Sequence, residues 1–242
     1  MLYEARLHAR PTEVTVAAPT GLQPLRWGAR RDSYLYVPPH YDPRRPMPLA
    51  LMLHGSGGHA HQGLDLLLHL ADDVGLILVA PASNGHTWDI IIDQSYGPDV
   101  ELVDQCLAYA CDHYAVDPAH VAIGGFSDGA SYGLSLGVAN GDIFTHMIAY
   151  SPGFIAPAVQ RGKPLVFISH GTHDPILPVD SCSRRIVAQL KYAGYEVGYV
   201  EFDGGHEIPP AVEQASIDWF IGTAGGLHPP RPQSRPSPST SP

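Results

Sequence analysis

Val121-Ala122-Ile123-Gly124-Gly125-Phe126-Ser127-Asp128-Gly129 joins an apolar run to the start of an amphipathic segment and sets one serine on the turn between a strand and a helix. Such a turn is sharp enough to drive Ser127 toward sparsely populated backbone angles. The chain on either side comes so close that side chains two residues away would collide, and Gly125 and Gly129 relieve that crowding.

Working outward, four further apolar runs resemble Val121–Gly125: Leu49–Leu53, Leu76–Ala80, Met147–Tyr150 and Leu165–Ser169. A sixth segment, Val197–Phe202, alternates more. Continuous apolar runs belong to strands covered on both faces, so these segments predict a parallel sheet flanked by helices. The intervening segments Gln62–Asp72, Asp99–Tyr114, Ser127–Asn140, Asp180–Ala193 and Pro209–Phe220 predict helices, the last with prolines in its first turn. Ahead of this core, Glu4–Ala17 and Arg31–Val37 predict edge strands that give the sheet an antiparallel start. The fold class is α/β.

A chain of 242 residues with 44% hydrophobic content buries a sizeable core, and residues 1–224 are expected to form one domain. Residues 225–242 are rich in Gly, Pro, Ser and Arg, and are expected to be a disordered tail. The start lacks the apolar region of a secretory signal, and no stretch approaches the ~20 apolar residues needed to cross a bilayer. The expectation is a soluble, unexported, cytoplasmic protein. Cys106, Cys111 and Cys182 lack metal-ligand spacing and read as free thiols. Residues 46–224 hold five Lys or Arg against twenty Asp or Glu. That field repels polyanions, which argues against nucleic acid and for neutral or cationic small molecules. The oligomeric state is left open.

A serine hydroxyl is a poor nucleophile at neutral pH and needs a base, which in turn needs a group to fix its tautomer. Ser127, His206 and Asp174 supply these roles, each just past an apolar run: His170-Gly171-Thr172-His173-Asp174-Pro175 follows one and Gly204-Gly205-His206-Glu207 the next. In an open parallel sheet, ligands bind beyond the carboxyl ends of the strands, where such loops converge. Asp203 is a rival acid, but it precedes the base by three residues on the same strand end, and Asp174 is favoured. His54-Gly55-Ser56-Gly57-Gly58, after the first parallel strand, supplies glycines that turn backbone amides inward. The N–H groups of Ser56 and Asp128 are assigned to an oxyanion, aided by the positive end of the helix that Ser127 opens. A phosphate-binding loop is the other reading of this glycine run, but the P-loop lysine is missing.

With these motifs in place, the chain resembles the small serine hydrolases of the α/β-hydrolase superfamily over residues 30–222. It is most similar to the phospholipase/carboxylesterase-like group, with dienelactone-hydrolase-like and depolymerase-like esterases as neighbours. The resemblance implies an α/β-hydrolase fold and hydrolysis of small soluble carboxylic esters through an acyl-enzyme, without cofactor or metal. Thioesterase, dienelactone-hydrolase-like and feruloyl- or depolymerase-type activities are the alternatives. Acyl-protein thioesterases carry Gln where this chain has Asp128, and dienelactone hydrolases carry Cys where it has Ser127, so both of those readings lose ground. The Asp128 side chain is expected to point away from the oxyanion. Lids of this superfamily commonly lie between the strands ending near Tyr150 and starting near Leu165, and the short connection there implies no large lid. Trp88 in the loop 81–98, with Phe154, Ile176 and Ile208, is the candidate pocket. Two other classes remain: a catalytically silent binding protein on this fold, and a metal-dependent hydrolase using His54, His59 and His61, or His170, His173 and Asp174.

Overall fold

A computed structural model of the protein describes residues 5–27 and 31–222. The expected tail, 225–242, lies outside the described residues. In chain order the elements are β1 (Gly21–Leu25), β2 (Ser33–Val37), β3 (Met47–Leu53), α1 (Ala60–Asp65), α2 (Leu68–Val74), β4 (Ile77–Ala80), α3 (Asp89–Ile92), α4 (Pro98–His113), β5 (Val116–Phe126), α5 (Asp128–Ala139), β6 (His146–Tyr150), β7 (Leu165–Gly171), α6 (Ser183–Tyr192), β8 (Val197–Phe202) and α7 (Pro210–Phe220). The sheet has eight strands in the order β1-β2-β4-β3-β5-β6-β7-β8. β2 runs antiparallel to both β1 and β4, and every pairing from β4 to β8 is parallel. This is the α/β architecture read from the apolar runs, with its antiparallel start.

The runs are apolar throughout because successive residues enter different cores. Leu49, Leu51 and Leu53 of β3, Val121 and Ile123 of β5, and Val166 and Ile168 of β7 pack on one face with α4, α5 and α6. Ala50, Met52, Ala122, Ile148 and Phe167 pack on the other, with Leu64, Ala71, Val212, Ile217 and Phe220. Side chains of a strand alternate between faces, so a sheet covered on both sides needs both sets apolar. Cys106 and Cys111 lie fully buried in the first core, their thiols unpaired and pushed up to about 12 by burial.

Two expected elements differ. Residues 5–17 form no strand. The amides of Leu7, His8 and Ala9 donate to the Oδ1 atoms of Asn140 and Asp104, and Arg6 pairs with Asp142 at 2.6 Å. Side chains of the helical layer thus satisfy a backbone that has no strand beside it, and Gly21–Leu25 takes the edge instead. The helix expected over 62–72 is two short helices, α1 and α2, broken at Leu67, whose backbone leaves the helical region at φ −138°.

The parallel register brings the carboxyl ends of five strands to one end of the sheet. Leu53 stands beside Gly125, Phe126 beside Tyr150, and Gly171 beside Phe202. Residues 151–164, between β6 and β7, carry no helix or strand. Among the described residues no helix is long and apolar enough to cross a membrane.

Candidate active site

Ser127 sits between β5 and α5 at φ 57°, ψ −119°, a backbone conformation that L-residues rarely adopt. Its amide is anchored to the Tyr150 carbonyl at 2.9 Å. The flanking glycines are required sterically. A Cβ on Gly125 would lie 2.4 Å from the Leu53 carbonyl oxygen, and one on Gly129 would lie 2.2 Å from the same atom and 2.5 Å from the His54 oxygen. The turn is pressed against the end of β3, and only hydrogen fits.

The structure brings Ser127, His206 and Asp174 into one chain of hydrogen bonds. His206 Nε2 lies 3.0 Å from Ser127 Oγ, and His206 Nδ1 lies 2.6 Å from Asp174 Oδ2. An ionised carboxylate only accepts, so Nδ1 carries the ring proton and Nε2 is free to accept from the serine hydroxyl. The His206 ring also leans on Phe126, centroids 4.6 Å apart. The Asp174 side chain is fully buried, and its Oδ1 accepts from the amides of Ile176 and Leu177 at 2.8 and 2.9 Å. Burial alone raises a carboxyl pKa, but these amides and the His206 ring outweigh it and hold Asp174 below its ordinary value. Asp203 does not reach His206. Its side chain is 92% exposed and pairs with His173 at the surface.

The amide of Asp128 is the first of α5 and therefore has no intrahelical acceptor. The Ser56 amide, in the loop after β3, also has no acceptor among the described residues. Both lie close to Ser127 at the carboxyl ends of the parallel strands. The Asp128 carboxylate is drawn aside, with Oδ2 accepting from Thr87 Oγ1 at 2.7 Å. Gly57, at φ 70°, turns the loop, and its amide is held by the His86 carbonyl at 2.9 Å.

A cleft of about 370 Å³ opens over Ser127, lined by His54, Gly55, Ser56, Gln62, Leu66, Phe126, Ile176 and His206. Of the expected pocket residues, Ile176 is in it, 66% exposed. Trp88 is not. It is fully buried, stacks on Tyr132 with centroids 5.1 Å apart, and donates Nε1–H to the His54 carbonyl at 2.9 Å. A ring held on both sides and at its one polar atom is scaffold and cannot face a substrate. Phe154 lines a separate cavity with Ile90, Ile91 and Tyr96. Ile208 packs against the core containing α7. Neither lines the cleft over Ser127.

Two buried histidines were missed as supports. His54 Nε2 accepts from the Ser83 amide at 3.0 Å, so Nδ1 carries the proton and donates to the Gly55 carbonyl at 2.8 Å. Burial lowers its pKa, more than the Gly55 carbonyl raises it. His170 contacts Ser183 Oγ at 2.6 Å through Nδ1, and the Leu177 carbonyl at 2.7 Å through Nε2. With both ring nitrogens engaged, neither histidine presents a lone pair to a metal, and no metal-holding group of three or more His, Cys, Asp or Glu occurs among the described residues. Neither role carries a sequence signal beyond the adjacent glycine motif, because each depends on partners 29 and 13 residues away.

This fold, with a serine–histidine–carboxylate chain at the carboxyl ends of its parallel strands, defines an α/β-hydrolase. No protein-family model matches the chain. Feruloyl esterase C of Emericella nidulans is 25% identical to it over 213 residues, 74% of this chain and 77% of that one. Feruloyl esterase B of Thermothelomyces thermophilus is 31% identical over 126 residues, 49% and 43% of the two chains. Among solved structures, an S-formylglutathione hydrolase of Staphylococcus aureus superposes with a TM-score of 0.67 at 12% identity, covering 84% of this chain and all of that one. A ferulic acid esterase of Anaeromyces mucronatus gives 0.61 at 18% identity, covering 88% and 93%. By fold the chain is an α/β-hydrolase, and the relatives it resembles are named esterases.

Proposed function

We propose that one catalytic domain, residues 1–224, hydrolyses small soluble carboxylic esters through an acyl-enzyme on Ser127. The observation that carries this reading is the continuous chain from Ser127 Oγ to His206 at 3.0 Å and on to Asp174 at 2.6 Å, at the mouth of an open cleft. His206 takes the hydroxyl proton as Ser127 attacks the ester carbonyl, then returns it to the departing alcohol. Asp174 holds the tautomer and stabilises the imidazolium. The amides of Ser56 and Asp128, with the N-terminus of α5, stabilise the oxyanion. Water, deprotonated by His206, then releases the acid. The absence of a structured insert between β6 and β7 supports access without a lipid interface.

Within this class, esters of aromatic acids are the favoured substrates. The names of the relatives point that way, and so do the apolar walls Leu66, Phe126 and Ile176, which suit a planar ring. The test of the mechanism is labelling with a fluorophosphonate, with the adduct located by mass spectrometry and the His206→Ala variant alongside. Adduct on Ser127 that is lost in the variant is the expected result, and a folded protein without adduct overturns the assignment. Comparing kcat/KM for methyl ferulate and methyl butyrate decides the acyl preference.

A further inference from the structure

Residues 83–99 touch the loop after β3 and the start of α5 through side chains or backbone. From this segment the Ser83 amide donates to His54 Nε2, Trp88 Nε1 donates to the His54 carbonyl, and the His86 carbonyl accepts from the Gly57 amide. These three contacts bracket Ser56 on both sides in sequence. On the other half, Thr87 Oγ1 donates to Asp128 Oδ2 at 2.7 Å, on the residue whose amide is the second one assigned to the oxyanion. Thr87 and Trp88 are adjacent in sequence and hold opposite halves of the oxyanion hole.

The base of the segment is closed by two buried carboxylates. Asp99 Oδ1 accepts from the amide and the side chain of Asn84, and its Oδ2 from the Asp89 amide. Asp89 Oδ2 accepts from the amides of Gly97 and Asp99. Gly97 packs so tightly here that a Cβ would lie 3.1 Å from Asp89 Oδ2. Two carboxylates buried within one loop tie its two ends together at a cost in desolvation, and such a cost is maintained where a conformation must be unique. An oxyanion hole is such a place, since its donors act only when already aimed at the developing charge.

We propose that the 83–99 segment is a clamp across both halves of the oxyanion hole, with Thr87 and Trp88 as positioning residues acting through Asp128 and His54. This rests on the assignment of the Ser56 and Asp128 amides to the oxyanion. It also gives the Asp128 carboxylate a role. Held by Thr87, it is kept turned from the site where negative charge develops.

The test uses Thr87→Val, which keeps the shape and removes the hydroxyl, Thr87→Ser, which keeps the hydroxyl, and Trp88→Phe, which keeps a ring and removes the N–H. Turnover of p-nitrophenyl acetate is measured with Ser127→Ala in parallel, together with inhibition by phenylboronic acid, a mimic of the tetrahedral species. The expected result is a roughly tenfold lower kcat in Thr87→Val and in Trp88→Phe, with KM within twofold and boronate affinity weakened by a similar factor. Thr87→Ser should stay within twofold of the parent. Full activity in Ser127→Ala would overturn the nucleophile assignment itself. With that variant silent, a parental kcat in either Thr87→Val or Trp88→Phe overturns the clamp alone, and so does a Thr87→Ser enzyme as slow as Thr87→Val. If one of the two variants does not fold, the other decides.

Discussion

His170 Nε2 lies 3.2 Å from Asp174 Oδ2, the same oxygen that His206 Nδ1 approaches to 2.6 Å, so one buried carboxylate serves two imidazoles. Burial lowers the His170 pKa, more than the Leu177 carbonyl and Asp174 raise it, which keeps its ring neutral. The two rings therefore differ in kind: His170 donates its Nε2–H to the Leu177 carbonyl and only approaches the acid, whereas His206 bridges the acid and Ser127. Replacing His170 with Ala strands the Ser183 hydroxyl and the Leu177 carbonyl and opens a cavity. A loss of about 3 kcal/mol is expected in urea unfolding, with a smaller fall in kcat than any substitution of His206 gives.

Asp174→Asn should fold and lose turnover by roughly 10⁴-fold, because an amide can donate to Nδ1 and favour the unproductive tautomer. The same carboxylate contributes to acid stability. Its folded pKa is below the unfolded one, so its contribution is present above the ordinary carboxyl pKa and is lost as pH falls through the depressed value. The asparagine variant should show a flatter unfolding midpoint than the parent below pH 4, where both chains are compared in urea.

Gly129→Ala and Gly133→Ala lie one helical turn apart on α5 and are expected to behave in opposite ways. At Gly129 the new methyl meets the Leu53 oxygen at 2.2 Å, whereas at Gly133 its nearest neighbour is the Gly124 backbone at 3.4 Å, an ordinary contact. Gly129→Ala should destabilise the fold and abolish turnover. Gly133→Ala should be active and gain up to ~1 kcal/mol from helix propensity. Thermal midpoints and kcat of the two variants read this directly.

His146 opens β6 with its Nδ1 2.8 Å from Thr145 Oγ1 and its ring centroid 5.1 Å from Trp219, 4.9 Å from Phe220 and 5.9 Å from His120, which itself pairs with Asp117. Burial, with a smaller push from His120, lowers its pKa to about 4. As pH falls from the ordinary histidine value of 6.5 toward 4, the unfolded chain takes up a proton that the folded chain refuses, and stability falls by roughly 2 kcal/mol. His146→Phe should remove most of this slope between pH 6.5 and 4 in urea titrations.

Ile176 presents an exposed side chain to the cleft while its backbone amide holds Asp174. Ile176→Asp keeps the amide and changes only the cleft wall. Its stability should stay within about 0.5 kcal/mol of the parent, while KM for apolar acyl esters rises several-fold and that for methyl acetate changes little.

The sequence by itself determined the sheet and the nucleophile turn. Runs such as Leu49–Leu53 and Val121–Gly125 are apolar at every position because both faces of a parallel strand are covered, and that requirement is written locally. The glycines at 125 and 129 are legible as a motif, although what they clear is the Leu53 carbonyl of a different strand. Tertiary structure decided what long-range partners decide. It set Asp174 beside His206 and left Asp203 at the surface, a distinction invisible where both acids follow strands. It made Trp88 a strut, because the stack on Tyr132 and the bond to His54 reach across 44 and 34 residues. It also drew residues 5–17 out of the sheet, since Asn140 and Asp104 could satisfy amides that a strand pattern assigned to a neighbour. Burial and backbone geometry have periods that a sequence displays, whereas a hydrogen bond between distant side chains has none.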